Sequence, residues 1–343
     1  MNRLAPQKLI ISLIALLLAA FVIAIISGPT SIPLSDLAAL VSSSAASDNS
    51  QHTIIITQLR LPRALLAILV GAGLAVSGAA MQGLFRNPLA DPSLVGVSSG
   101  AMVGASLMIV AGGSWLSSSS SLSLGTVAIG AFLGGVFAAI LVYRLATSPN
   151  GTSVSTMLLA GIAITALAGA LNHLLEFYTS NDMLRQISLW KMGGLDSANW
   201  VRVQVAAVVL IPVTILLCRY SKPLNALLLG ESEARHLGIS VERVKRQLIF
   251  LVALGVGTAV ALTGLIAFVG LVIPHIVRLL IGPNHRYLLP ASALAGAILL
   301  LLADAVARVV IAPTELPVGV VTSILGAPFF ISLLRHRREY GME

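Results

Sequence analysis

The sequence predicts an all-α polytopic membrane protein with about ten transmembrane helices, and three observations carry that prediction. First, 57% of its 343 residues are hydrophobic and only 10% are charged, whereas soluble domains carry about 25% charged residues. Second, mean hydropathy is +0.96, and long apolar runs recur along the whole chain. Third, the Lys and Arg residues sit at the ends of those runs. The net charge of +8 therefore reads as membrane topology, and without a dense basic face nucleic acid is not an expected partner. Cys218 stands alone as a cysteine, so neither a disulfide framework nor a thiolate metal cluster is available.

Taken in order, the first apolar run is Leu9 to Ile26. It predicts a span rather than a signal peptide, because it is long and Ser27-Gly28-Pro29 is a poor cleavage site. The polar, Ser-rich stretch from Ser31 to His52 is too hydrophilic to cross and reads as an external loop, with a short surface helix begun at Ser31 or Pro33. Further spans are expected at 64–84, 94–111, 122–145, 154–175, 200–218, 246–266, 268–281, 288–310 and 317–334. The span at 268–281 is short and holds Pro274, so only a partial crossing is expected there. The even count puts both termini on one side of the bilayer. All of 1–343 reads as one transmembrane domain with a long loop at 219–246 inside it.

The stretch from Arg60 to Gly104 organises this plan. Arg86-Asn87-Pro88-Leu89-Ala90-Asp91-Pro92 places two prolines, a cation and an anion between two apolar runs, so the helix must stop and restart. Two readings fit: an interruption buried in protein or facing a channel, and an ordinary cytoplasmic loop. Beyond it, Gly96, Gly100 and Gly104 repeat every four residues and offer a face for close approach of a neighbouring helix.

Under this topology fifteen of the 21 basic residues fall on the side of the termini, which the positive-inside rule assigns to the cytoplasm. The exceptions are Arg60, Arg63, Arg185, Lys191, Arg202 and Arg308. Arg60 and Arg63 lie three apart on one helical face. One reading makes these two and Arg308 a docking surface for an acidic external partner. The other has them snorkel to headgroups or pair with nearby acids such as Asp304 or Glu315.

The loop RYSKPLNALLLGESEARHLGISVERVKR (219–246) predicts two short helices about Gly230, the second from Glu231 to Leu237 and ended by Gly238. Its acids Glu231 and Glu233 disfavour anionic lipid and favour a protein partner. The chain has no G-x-x-x-x-G-K-[ST] loop, so nucleotide hydrolysis must come from another subunit. It also lacks the series of intramembrane acids expected of a proton-coupled secondary carrier, with Asp304 the main candidate. His173 and Glu176 share a helical face and raise the alternative of an intramembrane metalloenzyme, but such a pair without further ligands is more often a hydrogen-bonded contact.

RLPR, SGAAMQGLFRNPLADPSLVGVSSGA, LLLGESEARHLGI, GLIAFVGLVIPHIVRLLIGPNHRYLLPASALAGAILLLLADAVAR and ELPVGVVTSILGAPFF, in that order, closely resemble the permease subunits of bacterial ABC importers for iron-siderophores, haem and cobalamin, the FecCD type. The similarity runs from about residue 54 to 335. It implies a multi-pass permease of the bacterial inner membrane, working as a homodimer in the lipid bilayer with a pathway along the dimer axis. It also implies two cytoplasmic ATPase subunits carrying ATP and Mg, a periplasmic substrate-binding protein, and no cofactor in this chain. By the same resemblance Gly230, Glu231, Glu233, Ala234, Arg235, Leu237 and Gly238 belong to coupling helices in the ATPase cleft. Arg60, Arg63 and Arg308 become salt-bridge partners of the binding protein, and Ser153, Val154 and Ser155 the cytoplasmic gate. Val154 stands where the cobalamin members lead one to expect a small hydroxyl residue. The wording LADPSLVGVSSGA, with the outer-loop arginine in NDMLRQISLWKMGGL, looks most like the haem permeases. Arg185 is then a candidate for steering haem propionates, against a loop salt bridge to Asp182. Ferric siderophores and cobalamin are the alternative cargoes.

Overall fold

A computed structural model describes residues 4–30, 32–33, 51–115, 120–149 and 151–339. The surface helix expected after Ser31 lies outside them. In chain order the elements are α1 (Pro6–Ile26), α2 (Gln51–Leu84), a 3-10 turn (Pro92–Val95), α3 (Val97–Trp115), α4 (Ser120–Ala146), a hairpin of β1 (Thr147–Ser148) and β2 (Gly151–Thr152), α5 (Val154–Phe177) and α6 (Asn181–Met192). There follow α7 (Trp200–Arg219), α8 (Ser221–Leu229), α9 (Glu231–His236), α10 (Val241–Thr263), α11 (Val269–Ile281), α12 (His285–Val309) and α13 (Val318–Glu339). Among the described residues 7 helices are long and apolar enough to cross a membrane, and the shorter apolar helices Val97–Gly112, Val269–Ile281 and Val318–Ser332 bring the bundle to the expected ten.

Helix α2 is the axis of the bundle. It packs against α7, α10, α11 and α12, and most of its apolar length is buried, whereas α1 and α5 leave most of theirs exposed. Its composition explains the position, because Gly71, Gly78 and the alanines between them let neighbouring backbones approach. Gly78 lies against the Gly270 carbonyl, where a Cβ would overlap the oxygen. At the other end Pro62 has no N–H to return to Gln58. The preceding turn, Ile55–Arg60, widens to a π-helix in which the Leu61 N–H reaches the Ile56 carbonyl.

The interruption after α2 satisfies its own backbone. Asn87 Oδ1 accepts the Leu89 N–H, Asp91 Oδ1 accepts the Ser93 N–H, and Gly96 at φ 80° lets α3 begin. Both sequence readings contribute: Arg86 and Asn87 are exposed, while Ala90 and Pro92 are buried. The expected glycine face is in use, for Gly100 and Gly104 meet Gly134 and Gly130 of α4 backbone to backbone.

A second interruption separates α10 from α11. Residues 264–268 run without helix, and Phe268 takes a left-handed φ of 68°. Thirteen residues of α11 reach about 20 Å, short of the roughly 30 Å hydrocarbon core. Its backbone is sheltered: the Gly194 N–H donates to the Thr263 carbonyl, and the Gly319 N–H to Gly193. The two interruptions meet at a cavity of about 350 Å³ lined by Asp91, Pro92 and Ser93 on one side and Leu265 to Phe268 on the other.

The Leu4 N–H donates to the Leu280 carbonyl, which puts the N-terminus beside the end of α11. The far end of α1 meets Arg60 and Arg308. The molecule thus has a termini face, with the β-hairpin and the α8–α9 elbow, and an opposite face with α6 and the arginines.

Candidate functional site

On the opposite face the three arginines come together, but not as an exposed surface. Arg60, Arg63 and Arg308 are 5%, 9% and 4% exposed, and Asp304 between them is 1% exposed. Arg63 Nη2 lies 2.8 Å from Asp304 Oδ1, and its Nη1 lies 2.7 Å from Glu315 Oε2. Arg308 Nε lies 3.1 Å from Asp304 Oδ2, one helical turn away. The remaining guanidinium hydrogens go to the end of α1. Arg308 donates to the Ala24 and Ser27 carbonyls at 2.8 and 3.0 Å, and Arg60 to those of Ile25 and Ile26 at 2.7 and 2.6 Å and to Thr30. A helix end leaves carbonyls without partners, and α1 has no basic residue in its own last turn, so α2 and α12 supply the donors. These forks engage an internal carboxylate and backbone carbonyls, the pairing with Asp304 and Glu315 that the sequence also offered. Sequence reasoning named Asp304 and Glu315 as pairing partners but missed the α1 carbonyls, for which the uncapped run IISGPT was the available signal.

Beside this cluster a cavity of about 970 Å³ is lined by Arg63, Asp182, Gln186, Asp196, Arg202 and Glu315 over an apolar floor that includes Ile109 and Leu262. Arg202 is held there by hydrogen bonds to Ser197 Oγ and, at 2.6 Å, to the Leu262 carbonyl. Arg185 stands on helix α6 rather than in a loop, because Asn181 to Met192 carries an amphipathic pattern. It is exposed, pairs with no acid among the described residues, and lies outside the cavity lining while its neighbours Asp182 and Gln186 lie within it. The alternative salt bridge to Asp182 is not formed.

Helix α6 is fixed to α5 by Lys191 and Glu176, with Asn172 and Ser106, which the sequence did not single out, behind them. Lys191 Nζ lies 2.9 Å from Glu176 Oε1, which also accepts from Asn172 Nδ2 at 2.7 Å, and Ser106 Oγ donates to Asn172 Oδ1 at 2.6 Å. His173 joins Glu176 at 3.3 Å from an exposed position. Among the described residues no group of three or more His, Cys, Asp or Glu side chains is placed to hold a metal ion, and the pair is a helix-end contact.

On the termini face the loop folds as two short helices at Gly230, whose φ of 130° few other residues adopt, and α9 stops before Gly238 at φ 81°. Ala234 is buried under the elbow, while Leu229, Glu233, Arg235 and Leu237 are exposed. Glu231 turns inward and lies 2.8 Å from Lys245 Nζ. The gate residues follow the hairpin directly. Ser153 is the N-cap of α5, its Oγ accepting from the Thr156 N–H and hydroxyl at 3.2 and 3.0 Å. Val154 packs half-buried against the core, and Ser155 is exposed. Lys245, Glu242 and Thr152, which join the elbow to this hairpin, escaped sequence reasoning because Lys245 sits in a run of bases with nothing to distinguish it.

A multi-pass bundle with two interrupted helices, a charged cavity on one face and a two-helix elbow on the other has the architecture of a transport permease. Comparison with known proteins gives the family: the FecCD transport family model matches residues 16–336, and the chain belongs to that family. It is 47% identical over 281 residues to the hemin transport system permease protein HmuU of Yersinia pestis, covering 82% of this chain and 83% of that one. Over 284 residues it is 44% identical to the cobalamin import system permease protein BtuC of Halobacterium salinarum, covering 83% and 74%. A chain described as a metal-chelate type ABC transporter in an inward-facing conformation superposes with a TM-score of 0.83 at 33% identity, covering 96% of this chain and 99% of that one. The fold is also shared with PsaBC from Streptococcus pneumoniae, solved with a Fab, at a TM-score of 0.54 and 18% identity over 86% and 94% of the two chains. The protein is thus a multi-pass membrane permease of an ABC importer.

Proposed function

We propose that this permease moves haem from periplasm to cytoplasm across the bacterial inner membrane, as a homodimer carrying two ATPase subunits on its cytoplasmic face and receiving cargo from a periplasmic binding protein. The observation that carries the coupling half of this reading is the elbow α8–α9, with exposed Leu229 and Leu237, on a chain without a nucleotide-binding motif of its own. The excess of basic residues around it assigns that face and both termini to the cytoplasm. For cargo, the support is the 47% identity to a hemin permease together with Arg185, a free guanidinium beside the outer cavity and of the chemistry that pairs with propionates. The alternating-access step falls to α5, whose start at Ser153 to Ser155 faces the elbow through the hairpin. Uptake in proteoliposomes holding this chain, its ATPase subunit and its binding protein tests the cargo. ATP-dependent accumulation of hemin, with cyanocobalamin and ferric siderophores left outside, is expected. Accumulation of cyanocobalamin in preference to hemin would reassign the cargo and leave the importer mechanism standing.

A further inference from the structure

Lys245 is a charged side chain buried to 2% exposure at the start of α10, and its ammonium group joins three separate elements. It donates to Glu231 Oε2 of α9 at 2.8 Å, to Glu242 Oε1 of α10 at 3.2 Å and to the Thr152 carbonyl of β2 at 2.8 Å. An ammonium carries three N–H bonds and no acceptor, so all three are committed. Glu242 completes the cluster, its Oε2 accepting the Thr152 N–H at 2.8 Å. Both backbone polar groups of Thr152 are therefore held by the α10 side chains, one residue before Ser153 caps α5.

We propose that Lys245 is the positioning residue that ties the coupling helix α9 to the start of α5, so that a displacement of α9 reaches α5 through one buried ammonium group. Helix α9 has few other holds on the bundle: Ala234 is seated beneath it, and its remaining side chains from Ser232 to His236 face outward. Removing the ammonium leaves the Glu231 and Glu242 carboxylates near each other with no cation between them. A tilt of α9 would then be absorbed at the elbow. The pair of Arg235 with Glu231, 3.8 Å apart, lies within α9 itself and carries nothing out of it. The inference rests on the coupling reading of α8–α9 and adds the residue that carries motion inward.

The test is the ratio of cargo uptake to ATP hydrolysis in proteoliposomes of the full importer, with hemin as probe, for Lys245→Met, Lys245→Arg, Glu231→Gln and Gly238→Val. Lys245→Met is expected to co-purify with the ATPase subunit and lose at least tenfold in uptake per ATP, with Lys245→Arg recovering a substantial part because charge and donors persist. Should Lys245→Met fail to fold, Glu231→Gln decides, since Lys245 keeps Glu242 and Thr152 and stays paired; a several-fold loss of uptake per ATP at unchanged thermal stability is expected. An unchanged ratio in Lys245→Met, or in Glu231→Gln where the first does not fold, overturns the inference. Normal coupling in Gly238→Val overturns the underlying coupling reading instead, so the two failures are distinguishable.

Discussion

Arg63 and Asp304 are 241 positions apart in the sequence, and the Arg63 Nε donates to Asp304 Oδ1 at 2.8 Å. That one carboxylate, almost fully buried, also receives Arg308, and so joins α2 to α12 where both meet the end of α1. Removing this shared anion leaves Arg63 with Glu315 alone and Arg308 with backbone carbonyls alone. Retaining one partner of a buried pair is the costly case, because its desolvation is then uncompensated.

Asp304→Asn is therefore expected to destabilise the protein by about 3–5 kcal/mol, read as a large fall in the thermal unfolding midpoint in detergent. Glu315→Gln, which removes a half-exposed carboxylate, should cost about 1 kcal/mol or less. Equal effects from the two substitutions would mean that the cluster does not act as a buried pair.

Docking and anchoring roles for the arginines make different predictions. Arg60 donates to the Ile25 and Ile26 carbonyls, so Arg60→Ala leaves helix-end carbonyls without donors, a loss of about 1–3 kcal/mol. The folded fraction of Arg60→Ala should then bind the proposed periplasmic binding protein with near-normal affinity while unfolding at a lower temperature. Surface plasmon resonance in nanodiscs beside a thermal melt reads both quantities. Weakened binding at an unchanged midpoint would favour the docking role instead.

Contact between α2 and α11 leaves no room for a methyl group at Gly78, whose Cβ would overlap the Gly270 carbonyl. Gly78→Ala is expected to cost about 1–3 kcal/mol from forced separation of the helices. Gly169→Ala on α5, where a Cβ meets nothing within 4 Å, is the control and should be neutral or slightly stabilising in this chain. Thermal midpoints of the two variants measured side by side decide it; a Gly78→Ala midpoint equal to the control's would show that the helices separate without cost.

The span plan was legible because it depends on local quantities: run length, proline and glycine placement, and where the bases fall. The elbow at Gly230 and Gly238 was legible for the same reason, both glycines taking the positive φ that their positions require. What escaped was long-range. No sequence window shows that Arg60 and Arg308 meet the last turn of α1, some thirty and 280 residues away. Nor does one show that Lys245 reaches back 93 positions to Thr152. Arg185 was misplaced in a loop because α6 is short and polar and lacks the apolar length that identified the spans.

Cargo steering by Arg185 can be tested directly. Its guanidinium is exposed on α6 and pairs with no acid among the described residues, so reversing it should leave the fold unchanged. Haem presents two propionates, and an exposed ion pair contributes about 0–1 kcal/mol, which bounds the effect at about fivefold. Arg185→Glu is therefore expected to raise the KM for hemin uptake by up to about fivefold with kcat little changed, since steering acts on arrival. The difference from wild type should shrink as salt is raised toward 1 M, where the Debye length falls to about 3 Å. Thermal stability serves as the check on folding. A hemin KM that is unmoved at low salt in a folded Arg185→Glu variant would remove Arg185 from the pathway.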